Sequence, residues 1–438
     1  MDTVIQQLYS IYSAFPLICT DTRSIKKNAV FFALKGPSFN GNQFAEQAIR
    51  EGCEYAVIDE EKYKKDSRYF LVENVLEMLQ RLANYHRKQL LHIPVIAITG
   101  SNGKTTSKEL ITAVLTRGYS TLATPGNLNN HIGVPLTLLS VNKSHQVVII
   151  EMGANHEKEI ELLCKIAEPN CGIITNIGKA HLEGFGGVEG VVRAKKEMYD
   201  FIKSTQGILF VNADDELLMK LSSGADRILY GTSKKADYVG EFTGANPFVQ
   251  MQWSKITDAE NGNELNTVHS QLVGKYNFEN ILLAISVGAY FRVDENKINE
   301  AIESYLPSNS RSQVIQKNTN TLLLDAYNAN PSSMAAAIEN FSEMQSADKM
   351  LILGDMLELG EDSLKEHRLI TDLIGKKGFK KVILVGNWFL KVGNEINARM
   401  FEDVTTATDW LKKNKTNNTT VLIKGSRGMK LEKVVDCL

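Results

Sequence analysis

The sequence predicts an α/β protein of three domains, each a sheet with helices packed on it. Three observations carry this expectation. Short β-branched apolar runs alternate with segments of helical spacing along most of the chain, the pattern of mostly parallel sheets covered by helices. At 438 residues the chain is too long for one hydrophobic core. The alternation also restarts twice, which divides the chain into residues 1–90, 91–306 and 307–438.

Composition narrows the function classes. Charge is nearly balanced, with 49 Lys and Arg against 51 Asp and Glu, so nothing draws the chain electrostatically to nucleic acid or an anionic membrane. No apolar run reaches the ~20 residues of a membrane span. The opening MDTVIQQLYSIYSAF lacks the basic and apolar blocks of a secretory leader. The five cysteines follow no zinc or redox spacing and read as small buried apolar residues in a reducing compartment. A soluble cytoplasmic protein, acting as a monomer, is expected.

In the first stretch Val4 to Tyr12 is amphipathic, Ala29 to Leu34 and Tyr55 to Ile58 are strand-like, and FNGNQFAEQAIREG reads as a turn plus helix. A helical pattern from Val72 to Gln89 hands over at His92-Ile93-Pro94. Thr20, Thr22 and Arg23 sit beside a strand, with Asn40, Gly41 and Asn42 in a turn. On their own these are ordinary loop residues.

The second stretch opens on PVIAITGSNGKTTSKE, Pro94 to Glu109. Val95 to Ile98 is a buried strand, and Gly100 and Gly103 mark a tight turn. Lys104, Thr105 and Thr106 then start a helix whose apolar residues recur at Leu110, Ile111, Val114 and Leu115. Backbone N–H groups, the positive end of a helix dipole and a lysine converge here, so Gly100, Ser101, Asn102, Gly103, Lys104, Thr105 and Thr106 form a phosphate cradle. The general G-x-x-x-x-G-K-[ST] spacing would need glycine where Ile98 stands, so this loop is a shorter form. A glycine turn between strand and helix needs no ligand, but Gly-Lys-Thr-Thr at the helix start argues against that plainer reading.

Val147 to Ile150 is a second buried strand, and Glu151 at its carboxyl end is placed for a magnesium ion beside the phosphates. Ile173 to Thr175 is a third strand. NIGKAHLEGFGG after it brings His181 to the same edge, where a structural and a functional role are equally open. Lys195 and Lys196 fall in the helical VEGVVRAKKEMYDFI, and most lysines in such helices are solvated. The alternation across 237–273 suggests hairpins. Asn277 and Asn280 lie one turn apart at the head of an apolar helix, suited to reading a base edge or to capping.

In the third stretch Thr321 to Leu324, Met350 to Leu353, Val382 to Val385 and Val421 to Ile423 each read as a strand leading into a helix, four units of a small Rossmann-like domain. Asn330 is a good N-cap and Pro331 a good first helical residue. Polar strand ends gather at Asp325, Asp355 and Lys424 to Arg427, and several on one edge look like a site. Together Lys104, Thr105, Glu151 and His181 would hold a nucleoside triphosphate and Mg²⁺. No N-K-x-D guanine motif is present, and the flanking modules suit substrates, which favours a ligase or kinase.

In chain order the sequence carries TGSNGKTTSKE, TPGNLNNHIGVPLTLL, EMGAN, TNIGKAHLEGFG, RAKKE, GKYNFEN, LDAYNANPSSM, LGDMLELG and KGSR. This series resembles the Mur ligase superfamily, over essentially the whole chain from Thr20 to Lys430. YNANPSSM and LGDMLELG resemble its branch that adds D-Ala-D-Ala to UDP-MurNAc-tripeptide, and the Asp-Asn-Pro-Arg motif of the branches adding diaminopimelate or lysine is absent. The resemblance implies an ATP- and Mg²⁺-dependent amide ligase that forms an acyl phosphate on the tripeptide, which the dipeptide amine then attacks. It implies a catalytic set of Lys104, Glu151, His181 and Lys195. Lys104 would hold phosphates, Thr105 and Glu151 a first magnesium, and His181 a second. Lys195 would become a carbamate that binds metal, although Lys196 follows directly where relatives often have a small residue, leaving the register open.

The resemblance further implies that Asn277, Asn280, Arg311 and Asp325 reach ATP, and that Asn127, Asn129 and Asn130 meet the muramoyl peptide. Tyr327, Asn328, Lys424, Ser426 and Arg427 would line the D-Ala-D-Ala end. Thr22, Arg23, Asn40 and Asn42 would serve the uridine nucleotide. Another amino-acid ligase of the superfamily, a small-molecule kinase and a non-catalytic nucleotide-binding module are the competing readings. No motif reads the third peptide residue, so diaminopimelate and lysine both stay open.

Overall fold

The computed structural model of the protein describes residues 3–256, 265–308 and 310–438. The first sheet pairs Leu17–Cys19, Ala29–Phe32, Tyr55–Ile58 and Tyr69–Leu71 in that order, all parallel. Ala29–Phe32 is buried throughout, which is why it reads as a continuous apolar run. The helix Val75–Lys88 starts where the Asn74 side chain accepts from the Glu77 N–H, and it ends in His86, Arg87 and Lys88 at the negative end of its dipole. It buries Leu79, Leu82 and Ala83. Its Arg87 Nε donates to the carbonyl of Ala167 at 3.1 Å, which fixes the first sheet's layer on the helix Glu159–Ala167.

The central sheet has nine strands in the order Asn266–Val273, Phe248–Lys255, Tyr238–Ala245, Asp226–Gly231, Ile208–Asn212, Cys171–Ile174, Val95–Thr99, Val147–Glu151 and Thr121–Ala123. The last seven are parallel, and the stretch expected to form hairpins pairs antiparallel, Tyr238–Ala245 with Phe248–Lys255 and the latter with Asn266–Val273. Under this extension lies Trp253, fully buried, its indole N–H donating to Asn299 Oδ1 at 2.9 Å. Val95–Thr99 runs between Cys171–Ile174 and Val147–Glu151, with Thr99 level with Ile174 and Ile98 level with Glu151. Three carboxyl ends thus open side by side where the strand order reverses, the place at which open α/β sheets bind ligands.

The C-terminal sheet runs Gln313–Lys317, Asn320–Asp325, Thr420–Lys424, Lys349–Gly354, Lys381–Val385 and Arg399–Phe401, parallel except for the antiparallel edge strand Gln313–Lys317. Asp325 and Lys424 stand opposite each other in the register. Asn330 caps the helix Pro331–Glu343 through a reciprocal pair of hydrogen bonds with Ser333. The passage after Val421–Ile423 corrects the expectation of a fourth strand–helix unit. KGSRGMKLEKVV forms two 3₁₀ segments, Arg427–Met429 and Leu431–Cys437, because Lys430 between them takes a left-handed φ of 53° that breaks an α-helical path.

Candidate active site

The phosphate loop is held from both sides. Gly100 has φ 148° and Gly103 φ 78°, and a Cβ on Gly103 would come within 2.6 Å of Asn280 Oδ1. Only glycine fits there. Asn280 also accepts from the Ser107 hydroxyl at 3.0 Å and donates to Asn277 Oδ1 at 2.9 Å, while Asn277 donates to the Val273 carbonyl at 2.8 Å. Both asparagines line the central cavity and at the same time buttress the loop. The Lys104 ammonium folds back onto the carbonyls of Gly100 and Ser101 at 2.7 and 3.4 Å. Desolvation lowers its pKa, against the pull of Glu151.

Glu151 is almost fully buried, at 2% exposure. Its Oε1 accepts from Asn129 Nδ2 at 2.8 Å, whereas Oε2 has no hydrogen-bond partner and lies 3.8 Å from Lys108 Nζ. Buried oxygens are seldom left so, and a carboxylate oxygen in this state, lining the same cavity as Thr105, suits a hard cation. Among the described residues no three His, Cys, Asp or Glu side chains converge, so such an ion would need further oxygens from a bound nucleotide.

Lys195 is buried inside the helix Val188–Ser204, its Nζ 3.3 Å from Thr99 Oγ1. Burial first, and then the Lys104 charge, bring its pKa down to about 7. Lys196 points the other way and pairs with Asp200. The inward lysine of R-A-K-K-E is therefore Lys195. His181 has a φ of 52°, lines the cavity, and sets Nδ1 2.6 Å from Glu358 Oε2.

From the C-terminal side, Arg311, Asp325, Tyr327, Asn328 and Lys424 line the same cavity of about 630 Å³. Lys424 pairs with Asp325 at 2.5 Å, and Ser312 N–H reaches the other Asp325 oxygen at 3.3 Å. The Arg311 and Arg427 guanidinium groups lie 3.7 and 4.8 Å from the Tyr327 ring centre, and Arg311 Nε is buried without a partner. Asn127 lines both this cavity and a neighbouring one of about 460 Å³ that Arg427 also lines. Thr106 and Asn130 line the main cavity as well, Asn130 also capping the N–H groups of Ile132 and Gly133.

Other residues singled out in the sequence lie elsewhere. The Ser426 hydroxyl donates to Ala329 O at 3.2 Å and accepts from Leu357 N–H at 2.9 Å, joining two loops behind the cavity. Asn42 exchanges hydrogen bonds with Asp59, its Nδ2 to Oδ1 at 2.8 Å, and Asn40 Nδ2 donates to Glu60 at 2.7 Å. Arg23 pairs with Asp21 on the open surface next to Thr22. Sequence reading missed Asn330, whose amide donates to Asn102 Oδ1 at 2.7 Å, and Tyr276, whose hydroxyl meets Ser312 at 3.0 Å. It also missed Glu358. All three lie in quoted motifs, GKYNFEN, LDAYNANPSSM and LGDMLELG, but their contacts depend on two sheets meeting, which no single motif announces.

Three family descriptions match the chain in order. They are Mur ligase family, catalytic domain, at residues 15–87; Mur ligase middle domain at 98–288; and Mur ligase, glutamate ligase domain, at 310–427. The UDP-N-acetylmuramoyl-tripeptide--D-alanyl-D-alanine ligase of Bacillus subtilis (strain 168) is 33% identical, over 95% of this chain and 92% of that protein. Its counterpart from Escherichia coli (strain K12) is 33% identical over 96% and 93%. Among solved structures, MurF from Acinetobacter baumannii superposes with a TM-score of 0.87 at 29% identity, covering 99% of this chain and 97% of that one. The MurF ligase of Thermotoga maritima in complex with ADP gives 0.84 at 25% identity, covering 100% and 98%. Matched along nearly its whole length, the chain belongs to the Mur ligase family.

Proposed function

We propose that this chain is the ATP-dependent ligase that joins D-Ala-D-Ala to UDP-MurNAc-tripeptide, giving UDP-MurNAc-pentapeptide, ADP and phosphate for peptidoglycan synthesis. One observation carries the reading: a lysine-bearing phosphate loop and a buried acid with a free oxygen face Arg311 and Asp325 across one cavity, in a chain aligned end to end with ligases of that name. In the first step a tripeptide carboxylate oxygen attacks the γ-phosphorus and ADP leaves. In the second the dipeptide amine attacks the acyl carbon, gives up a proton, and phosphate leaves. The first step presses two anions together and the second builds negative charge on the acyl oxygen beside the phosphate, and Lys104 and Arg311 would offset that charge.

Thr105, Glu151, His181 and a carbamylated Lys195 would hold Mg²⁺, which supplies charge neutralisation between the carboxylate and the γ-phosphate. A lysine whose pKa lies at about 7 offers CO₂ the neutral amine that carbamate formation needs. Residues 1–90 take the uridine end through Thr22 and Arg23, with Asn40 and Asn42 bracing a turn of that unit rather than touching the ligand, residues 91–306 take ATP, and residues 307–438 present D-Ala-D-Ala. Asn127, Asn129 and Asn130 meet the muramoyl peptide, and Tyr327, Asn328, Lys424, Ser426 and Arg427 shape the acceptor end. The protein works as a cytoplasmic monomer.

The test is the full chain incubated with ATP, UDP-MurNAc-tripeptide and D-Ala-D-Ala, with products read by mass spectrometry. Pentapeptide and ADP in equal amounts are expected. A stable phosphorylated product, released over many turnovers at a rate independent of any amine acceptor, would make the protein a kinase and end this reading.

A further inference from the structure

The His181–Glu358 contact joins two units that are far apart in sequence. His181 sits on the loop after Cys171–Ile174, and Glu358 on the loop after Lys349–Gly354 of the C-terminal sheet. Their separation is 2.6 Å, and both residues hold left-handed backbones, φ 52° and 65°. Non-glycine residues keep that conformation only where the surroundings impose it. The surroundings here are a clasp. Lys179 Nζ reaches the buried Glu366 carboxylate at 2.6 Å, the Lys179 N–H points to the Ser332 hydroxyl at 3.3 Å, and Gly360 packs against Glu183. The loop bearing His181 is thus gripped by the C-terminal unit on both sides of the histidine.

A carboxylate is an acceptor only, so His181 Nδ1 must carry the proton, and in the neutral ring Nε2 then keeps its lone pair. Metal-binding histidines are oriented in this manner by a carboxylate on their other nitrogen. Resting on the reading of His181 as facing a divalent ion, we propose that Glu358 is a positioning residue: it fixes the tautomer and ring direction of His181, so that the cation site of the central unit is complete only while the C-terminal unit is docked. The central unit alone supplies the ligand, and the C-terminal unit supplies its orientation.

The experiment uses the full chain with ¹⁵N-labelled histidine, as wild type, Glu358→Ala, Glu358→Gln and His181→Gln, the last assigning the His181 signal. Long-range ¹H–¹⁵N spectra report the tautomer. Paramagnetic resonance of Mn²⁺, titrated with a non-hydrolysable ATP analogue, reports cation affinity. In the wild type Nδ1 is protonated and Nε2 bare. Glu358→Ala is expected to move His181 toward the Nε2–H tautomer and weaken Mn²⁺ by about 10- to 100-fold. Glu358→Gln, which still accepts through its amide oxygen, restores both. Because the Glu358 side chain is largely exposed, at 58%, the variants test orientation rather than folding. Wild-type tautomer and Mn²⁺ affinity in Glu358→Ala would overturn the inference alone. A wild type that takes up no Mn²⁺ with the analogue would overturn the functional reading, and this inference with it.

Discussion

The Asn40–Asn42 turn and the carboxyl edge of the central sheet are both dense in polar side chains, yet they differ in what those side chains are doing. Around the turn every amide is engaged: Asn42 with Asp59, Asn40 with Glu60 and Asn42, and Lys35 with Asp59 and Glu60 at 2.9 and 3.0 Å. In the cavity at the sheet edge, Glu151 Oε2 and, from the C-terminal side, Arg311 Nε are buried without a hydrogen bond. Polar residues that satisfy one another build shape, while those left incomplete wait for a ligand. Hydrogen-bonding capacity still open, rather than polarity, separates the two regions.

The largest effect expected from this contrast is at the incomplete edge. Lys104→Ala and Glu151→Ala should each lower ADP release by at least about 10²–10³-fold, as loss of a charge-stabilising group does, while leaving the thermal midpoint nearly in place. Turnover within threefold of wild type in either variant would break the contrast. Lys195 should add a pH signature. As pH falls through about 7 its amine takes up a proton and can no longer hold CO₂, so activity should drop on the acid side and recover in part with added bicarbonate. Lys195→Ala should be inactive and deaf to bicarbonate.

A smaller effect belongs to Tyr327, whose ring lies against two guanidinium groups. Tyr327→Ala should cost about 0.5–2 kcal/mol of transition-state binding, read as a fall in kcat/KM for D-Ala-D-Ala. At the engaged turn the sign of the contrast reverses. Asn42→Ala should remove about 1–3 kcal/mol of stability by orphaning its buried partners, with kcat per folded molecule unchanged. Arg23→Ala, on a side chain 88% exposed, should leave the denaturation midpoint where it was and sharpen the comparison through the KM for the uridine substrate.

Much of this site was legible because local chemistry announced it. Gly103 beside Lys104, and Glu151 closing an apolar strand, need only their immediate neighbours to be understood. Lys195 against Lys196 was different: both fit the helix, and only burial against Thr99 and Phe185 separates them. Ser426 looked like a ligand-facing hydroxyl until its two backbone partners, Ala329 and Leu357, arrived from different loops. Asn330 was readable as a cap but not as a neighbour of Asn102, since the contact spans 228 residues. The edge strands Gln313–Lys317 and Arg399–Phe401 went unread, because neither has a fully buried residue and so neither carries the continuous apolar run that marked Val421 to Ile423.

The burial of Trp253 has a practical consequence. The three tryptophans are Trp253, Trp388 and Trp410, so residues before Val95 contribute no indole emission. Trp253 sits dry in the nine-stranded sheet, while Trp388 and Trp410 are partly solvated, with Lys391 and Arg399 over their rings at 4.2 and 4.6 Å. Fluorescence during chemical unfolding should therefore resolve a blue and a redder component that belong to different sheets, and remain silent about the first.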